Sequence, residues 1–164
     1  MFKYQVIKNA VSYELANFIF NYFLLKRDAT DFMYKNNIIH DNGMFGTWTD
    51  QQVPNTYSHY ADQVMETLLV KMLPVMAKET GLELIPTYSY ARIYKEGNIL
   101  PKHTDRQSCE ISTTLNLGGD PWPIFLFFTE KICLYRNGNK KCSYVSSVQT
   151  FIGSVSRQSN KRAA

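Results

Sequence analysis

The feature that most constrains the fold is the segment 109–117, CEISTTLNL, in which mostly apolar side chains at the odd positions alternate with polar side chains at the even positions. Successive side chains of a β-strand point to opposite faces of its sheet, so this alternation predicts a half-buried strand. Residues 87–94 are rich in aromatic and β-branched types and predict another strand, followed by turn residues at 95–98. Residues 123–128 form a continuous apolar run, which is typical of a strand in a sandwich core.

The first half of the chain carries helical patterns. Residues 11–25 are predicted to form a helix that packs one face against the sheet, with Leu15, Phe18, Ile19, Tyr22 and Leu25 on that face. Polar residues interrupt this stretch, so it is neither a membrane span nor the core of a signal peptide. Residues 28–55 have loop chemistry. A second helix is predicted to begin at capping residues 54–56 and to end at Gly81, with a kink or a restart at Pro74.

One short motif points to chemistry. His103 and Asp105 are two residues apart and are expected on an extended segment, where their side chains would share one face. An imidazole and a carboxylate side by side can bind one metal ion, and non-heme iron(II) oxygenases use such a pair within a two-histidine, one-carboxylate triad. The alternative is a strand histidine that is hydrogen-bonded to Asp105 without any metal.

The order strand, turn, His-x-Asp, strand resembles the prolyl-4-hydroxylase-like branch of the 2-oxoglutarate and Fe(II)-dependent dioxygenases, most closely over residues 56–127. The resemblance implies a mainly β (α+β) fold with N-terminal helices, in which the strands form a double-stranded β-helix, or jelly roll. It assigns iron binding to His103 and Asp105 and a contact with 2-oxoglutarate to Tyr94. The family also has a distal histidine and, about ten residues later, a Lys or Arg. No histidine follows Asp105 in this chain, so the jelly roll is expected to be incomplete at its C-terminus.

The implied activity is hydroxylation of an unidentified substrate, a small molecule or a peptide side chain, coupled to oxidative decarboxylation of 2-oxoglutarate to succinate. Fe(II) and 2-oxoglutarate are the implied cofactors, with ascorbate as a candidate reductant. Arg92 and Arg106 are candidates for carboxylate contacts, although solvated arginines at a strand edge are the default interpretation. Two alternatives stay open: a non-catalytic jelly-roll module that binds metal or acts as a scaffold, and a purely structural jelly roll. Without a distal histidine, negligible turnover is expected.

Charge divides the chain near residue 130. Residues 1–130 carry eleven basic and fourteen acidic residues, whereas residues 131–164 carry seven basic and no acidic residues. The net charge of +4 therefore comes from the tail and does not indicate a nucleic-acid surface. The tail can be a divergent end of the domain, a disordered basic appendage, or the product of a shifted reading frame or premature end that replaced the C-terminal strands. Within it, only residues 132–135 and 144–152 have the composition of strands.

The chain is expected to form one domain over residues 1–130, with helices at about 10–80 and jelly-roll strands at about 84–130, followed by the divergent tail 131–164. Three cysteines without the spacing of a disulfide framework indicate a reducing compartment. We therefore expect a cytoplasmic protein with no membrane partner.

Overall fold

The computed structural model describes residues 5–103, 105, 109, 111–120, 124–128, 131–135 and 148–157, the last three ranges as backbone only. These described residues contain two helices and six strands. They are α1 Tyr13–Lys35, β1 Ser58–Tyr60, α2 Gln63–Thr80, β2 Leu84–Ile93, β3 Ile111–Gly118, β4 Ile124–Phe128, β5 Lys131–Tyr135 and β6 Val148–Arg157.

Four of the strands form one sheet in the order β1-β2-β6-β3, and every neighbouring pair in it is antiparallel. Because β2 and β3 are both antiparallel to β6, they run parallel to each other and exchange no ladder hydrogen bonds. The strands β4 and β5 pair separately as an antiparallel hairpin. The described helices and strands thus form an α+β arrangement with a four-stranded sheet and a separate hairpin. The jelly roll stays a prediction.

Helix α1 is longer than expected, and its inward face is confirmed only in part: Leu15, Ile19 and Tyr22 pack in or against the core as predicted. The Ser12 hydroxyl accepts a hydrogen bond from the Leu15 amide and caps the N-terminus, and the helix continues to Lys35, into the region predicted as a loop. Ile19 and Phe23 are buried, whereas Phe18 and Leu25, which were expected to pack inward, are exposed.

Helix α2 begins later than the capping residues at 54–56. Asn55 has a φ of +61°, in the left-handed region, and the chain then forms strand β1 before the helix starts. Asp62 is the N-cap, and its side chain accepts hydrogen bonds from the amides of Val64 and Met65. The helix continues through Pro74 and ends at Gly81, whose φ of +69° is the left-handed C-cap conformation; this end was predicted correctly.

The core lies between the helices and the sheet, with α2 packed against β2 and α1 against β3. Its buried members include Phe23, Tyr57, Met65 and Leu69. Helix α1 lies close to β3 at Gly118, where a Cβ built on the glycine would lie 2.6 Å from the Phe20 ring. Side chains of β3 alternate in burial from Ile111 to Leu117, which confirms the predicted half-buried strand.

The tail contributes two of the strands. Residues 132–135 and 144–152 were predicted to be capable of strand pairing, and β5 and β6 overlap both ranges. Strand β6 lies in the interior of the four-stranded sheet, between β2 and β3. Residues 136–147 and 158–164 lie outside the described residues, and the origin of the tail sequence stays a prediction. No helix in the described part of the chain is long and apolar enough to cross a membrane.

Candidate functional site

The His-x-Asp motif lies in the connection between two parallel strands. Ile93 at the end of β2 and Gly118 at the end of β3 both pair with Val148, whereas Ile111 at the start of β3 pairs with Val155. The connection must therefore return along the length of the sheet, as crossovers between parallel strands do. It begins with a turn at Gly97, whose φ is +80°. The turn is closed by the Lys95 amide, which donates to Asn98 Oδ1 at 2.7 Å.

His103 and Asp105 approach each other, although neither lies in a strand as expected. His103 Nε2 is 3.6 Å from Asp105 Oδ1. On the other side of the imidazole, Nδ1 is 2.9 Å from the Pro101 carbonyl oxygen. A carbonyl only accepts, so Nδ1 carries the hydrogen, and in the neutral ring Nε2 keeps its lone pair. The second carboxylate oxygen, Oδ2, accepts a hydrogen bond from the Ser112 hydroxyl at 2.6 Å.

These contacts fit two ligands of one metal ion. Metal bonds of about 2.1 Å place neighbouring ligand atoms about 3.0 to 3.4 Å apart, depending on coordination geometry. The observed separation of 3.6 Å between His103 Nε2 and Asp105 Oδ1 would have to shorten only slightly. In a metal site, the ligand atom that does not bind the ion usually forms a hydrogen bond to a backbone or hydroxyl group, and this bond orients the ligand. His103 Nδ1 and Asp105 Oδ2 form such bonds here. Both side chains keep solvent access, with relative exposures of 40 % for His103 and 30 % for Asp105.

A third ligand is not part of this arrangement. No group of three or more His, Cys, Asp or Glu side chains within the described ranges is placed to hold a metal ion. His40 is exposed on a loop after α1, and His59 is buried in β1 beside Asp62.

Tyr94 is buried directly after β2, and its hydroxyl accepts a hydrogen bond from Arg92 Nη1 at 3.1 Å. The strand register places it far from Asp105. Tyr94 follows Ile93, which is level with Gly118, whereas Asp105 is held by Ser112 at the opposite end of β3. The structure thus does not bring Tyr94 to His103 and Asp105, and its contact with 2-oxoglutarate stays a prediction.

Arg92 was interpreted by default as a solvated strand-edge side chain, and the structure corrects this. The residue is buried, and its guanidinium forms an ion pair with Asp50 and hydrogen-bonds the side chains of Gln52 and Tyr90, each at 3.1 Å. It also lies over the Tyr90 ring, 5.0 Å from its centroid. Such a buried cation is held by its neighbours and fixes the loop at residues 50–52 against β2.

A second polar cluster, which sequence reasoning missed, joins α1 to the start of α2. Asp62 is fully buried, and its Oδ2 accepts a hydrogen bond from the Tyr22 hydroxyl at 2.8 Å and forms an ion pair with Lys26. His59 Nδ1 lies 3.3 Å from the same oxygen. The spacing of Tyr22 and Lys26 places both on one helix face, but nothing in the sequence connects them to Asp62, about forty residues later.

The electrostatics of this cluster favour the charged carboxylate. Burial raises the pKa of Asp62, but the polar hydrogens of His59, Lys26 and Tyr22 and the charge of Lys26 outweigh burial and hold this pKa well below its usual range. Burial and the hydrogen bond to Asp62 raise the pKa of Tyr22 far above its usual value. A half-open cavity of about 350 Å³ adjoins the cluster, lined by Tyr22, Lys26, Met44, Phe45, His59, Ala61 and Gln63.

The chain has two tryptophans, Trp48 and Trp122. Trp48 packs on the rings of Tyr34 and Tyr57, at centroid distances of 5.7 and 4.9 Å, so it has the default structural role of a tryptophan. Trp122 and Arg106 lie outside the described residues.

Comparisons with protein-family models, with curated proteins and with solved structures found no match to this chain.

Proposed function

We propose that this chain binds a divalent metal ion, Fe(II) by its resemblance to the 2-oxoglutarate-dependent dioxygenases, through His103 and Asp105. The observation that carries the proposal is the orientation of the two side chains. The outer atoms, His103 Nδ1 and Asp105 Oδ2, are hydrogen-bonded to Pro101 and Ser112, and the inner atoms face each other at 3.6 Å.

A cation between the inner atoms resolves an electrostatic conflict. With the hydrogen on Nδ1, a neutral His103 presents a lone pair toward the negative Asp105 oxygen, and two such acceptors repel each other. Either a proton on Nε2 or a metal ion removes this repulsion. The proton gives the alternative interpretation, an exposed ion pair, which contributes at most about 1 kcal/mol.

In the proposed site His103 and Asp105 hold the ion, and Ser112 fixes which carboxylate oxygen faces it. Bound Fe(II) with 2-oxoglutarate and dioxygen would supply the oxidising chemistry that hydroxylates a substrate and releases succinate and carbon dioxide. The jelly-roll fold, the hydroxylase activity, the cosubstrate and a cytoplasmic location are parts of the same proposal, and all of them rest on the resemblance. No substrate follows from the described residues.

The second candidate function is a non-catalytic protein that binds metal or acts as a scaffold. It is favoured by the solvent access of both ligands, because oxygenase chemistry needs a site from which water is excluded. It is also favoured by the sequence, in which no histidine follows Asp105. We therefore expect metal binding with negligible turnover of 2-oxoglutarate.

Metal binding is tested by anaerobic titration of the purified chain with Mn(II) or Fe(II), followed by calorimetry or by the EPR signal of free Mn(II). We expect one ion per chain and a loss of affinity of tenfold or more in His103→Ala and in Asp105→Asn, since metal ligands are not replaceable by these side chains. His40→Ala is the matched control, because it removes an exposed histidine away from the site. Equal affinity of the wild-type chain and His103→Ala would refute the site.

Turnover is measured separately in air-saturated buffer, as succinate formed from 2-oxoglutarate and dioxygen with Fe(II) and ascorbate. Binding without succinate supports the non-catalytic alternative. Succinate formation that disappears in His103→Ala would show a working oxygenase whose third ligand lies outside the described residues.

A further inference from the structure

Helix α1 carries an apolar stripe on the side that faces away from the sheet. Phe18, Leu25 and Phe32 have relative exposures of 68, 70 and 60 %. Residues seven positions apart lie almost directly above one another on a helix, so the three side chains form a straight row about 21 Å long. We call this row the α1 stripe. The opposite side of the helix, with Ile19 and Phe23, already packs in the core, so α1 is apolar on two sides.

The α1 stripe is symmetric about its centre. Leu25 stands midway between two phenylalanines, so a second copy of α1 that runs in the opposite direction would place Leu25 on Leu25 and each Phe18 on a Phe32. A twofold axis through Leu25 makes such a surface self-complementary, as the interface of a C2 dimer must be.

Charge at the two helix ends favours the same arrangement. Glu14 lies in the first turn and Lys35, which pairs with Asp31 of its own helix, lies in the last turn; both are exposed. In an antiparallel pair, Glu14 of each copy approaches Lys35 of the other, whereas a parallel pair would place like charges together. The dipoles of the two helices are also opposed in the antiparallel pair, which is the favourable orientation.

From these observations we propose that the α1 stripe is a self-association surface that pairs antiparallel with α1 of a second copy of this chain. The stripe offers on the order of 300 to 400 Å² of apolar surface per copy, the size of a functional patch. A stable interface buries about 800 Å² per partner, so the stripe would be the apolar centre of a modest interface with a polar rim. Dimerisation should therefore depend on concentration.

The proposal is tested by sedimentation velocity of the full chain over a wide concentration range. We expect a monomer–dimer equilibrium, and Leu25→Glu should raise the dimer dissociation constant about a hundredfold or more, because it removes two central leucines and opposes two carboxylates. Val70→Glu is the matched control, since Val70 is an exposed apolar residue on α2. Circular dichroism verifies that each variant is folded, and Leu25→Gln serves in place of Leu25→Glu if the latter unfolds.

Orientation is tested by disulfide formation in a background in which the three native cysteines are replaced by serine. Phe18→Cys and Phe32→Cys proteins should cross-link when mixed, because the antiparallel pair brings these positions together and keeps the other Phe18–Phe32 contact intact. Neither protein should cross-link alone. A monomeric wild-type chain, an undiminished dimer in Leu25→Glu, or cross-linking of Phe18→Cys with itself would each overturn the proposal.

Discussion

Replacing Asp62 tests whether the buried cluster between α1 and α2 stabilises the fold. In Asp62→Ala, α2 loses its N-cap, which costs about 1 kcal/mol. The variant also removes the acceptor of Tyr22 and of Lys26, and hydrogen bonds to a charged group contribute about 1.5 to 3 kcal/mol each. Because part of this is recovered when Lys26 turns to solvent, we expect the free energy of unfolding to fall by about 3 to 5 kcal/mol, the range for breaking a buried ion pair.

Asp62→Asn separates the charge from the cap. Asparagine caps helices as well as aspartate does, so the hydrogen bonds to the amides of Val64 and Met65 can persist, while the charge that holds Lys26 is lost. We expect a loss of about 2 to 3 kcal/mol, smaller than in Asp62→Ala. The assay is urea unfolding followed by circular dichroism, with Asp31→Asn as control, because Asp31 forms an exposed pair with Lys35.

The pH dependence gives the same test a second readout. The pKa of Asp62 is lower in the folded chain than the value of about 3.9 in an unfolded chain, so in acid the unfolded chain binds the proton more readily. The stabilisation from Asp62 is therefore complete above about pH 5 and is lost as the pH falls below about 4. Asp62→Asn should show a flatter acid limb. Losses under about 1 kcal/mol in both variants, or an unchanged acid limb, would refute this reasoning.

Two further substitutions test packing and burial. Gly118→Ala should lower the free energy of unfolding by about 1 to 3 kcal/mol, since its Cβ would lie 2.6 Å from the Phe20 ring; a neutral result in urea unfolding would mean that α1 does not approach β3 so closely. Asp50→Asn should cost about 3 kcal/mol or more because it leaves the buried guanidinium of Arg92 without its ion pair, and a change within 0.5 kcal/mol would place Arg92 in solvent.

The sequence predicted those elements in which a local pattern determines the structure, such as the alternation of a strand or the glycine at the end of a helix. The alternation along β3 is confirmed from Ile111 to Leu117, and Gly81 ends α2 because only glycine adopts the left-handed C-cap without strain. The face of α1 was predicted only in part, since Phe18 and Leu25 of the predicted face are exposed. With apolar residues on two sides, periodicity allows either to face the sheet, and the choice depends on a feature outside the helix, the space left by Gly118 for Phe20.

The start of α2 shows a different limit. Asn55 and Asp62 are both residue types that cap helices, so the sequence offers two starting points. The helix starts at Asp62 because residues 58–60 pair with β2 as strand β1 and cannot be helical. Asp62 then accepts a hydrogen bond from α1. The sequence contains neither the pairing nor the contact with Tyr22, because both depend on segments brought together only by folding.

Spacing along the chain is also an unreliable guide to the candidate site, and the register of the sheet shows why. Tyr94 stands nine residues before His103, but the connection between them runs back along the sheet while β6 separates β2 from β3. Tyr94 follows Ile93, which is level with Gly118. Gly118 and Ser112 are six residues apart, which is about 20 Å along a strand.

Tyr94 and the residue that holds Asp105 thus lie toward opposite ends of β3, and the contact of Tyr94 with 2-oxoglutarate stays a prediction. Another tyrosine, Tyr88, lies closer to Asp105 along the sheet. Tyr88 and Ser112 both pair with Ser154, so Tyr88 stands level with the residue that holds Asp105, and its hydroxyl is 3.3 Å from Cys109 Sγ. The register therefore places Tyr88 nearer than Tyr94 to the level of Asp105, and Tyr94 contacts Arg92 beyond the other end of β2.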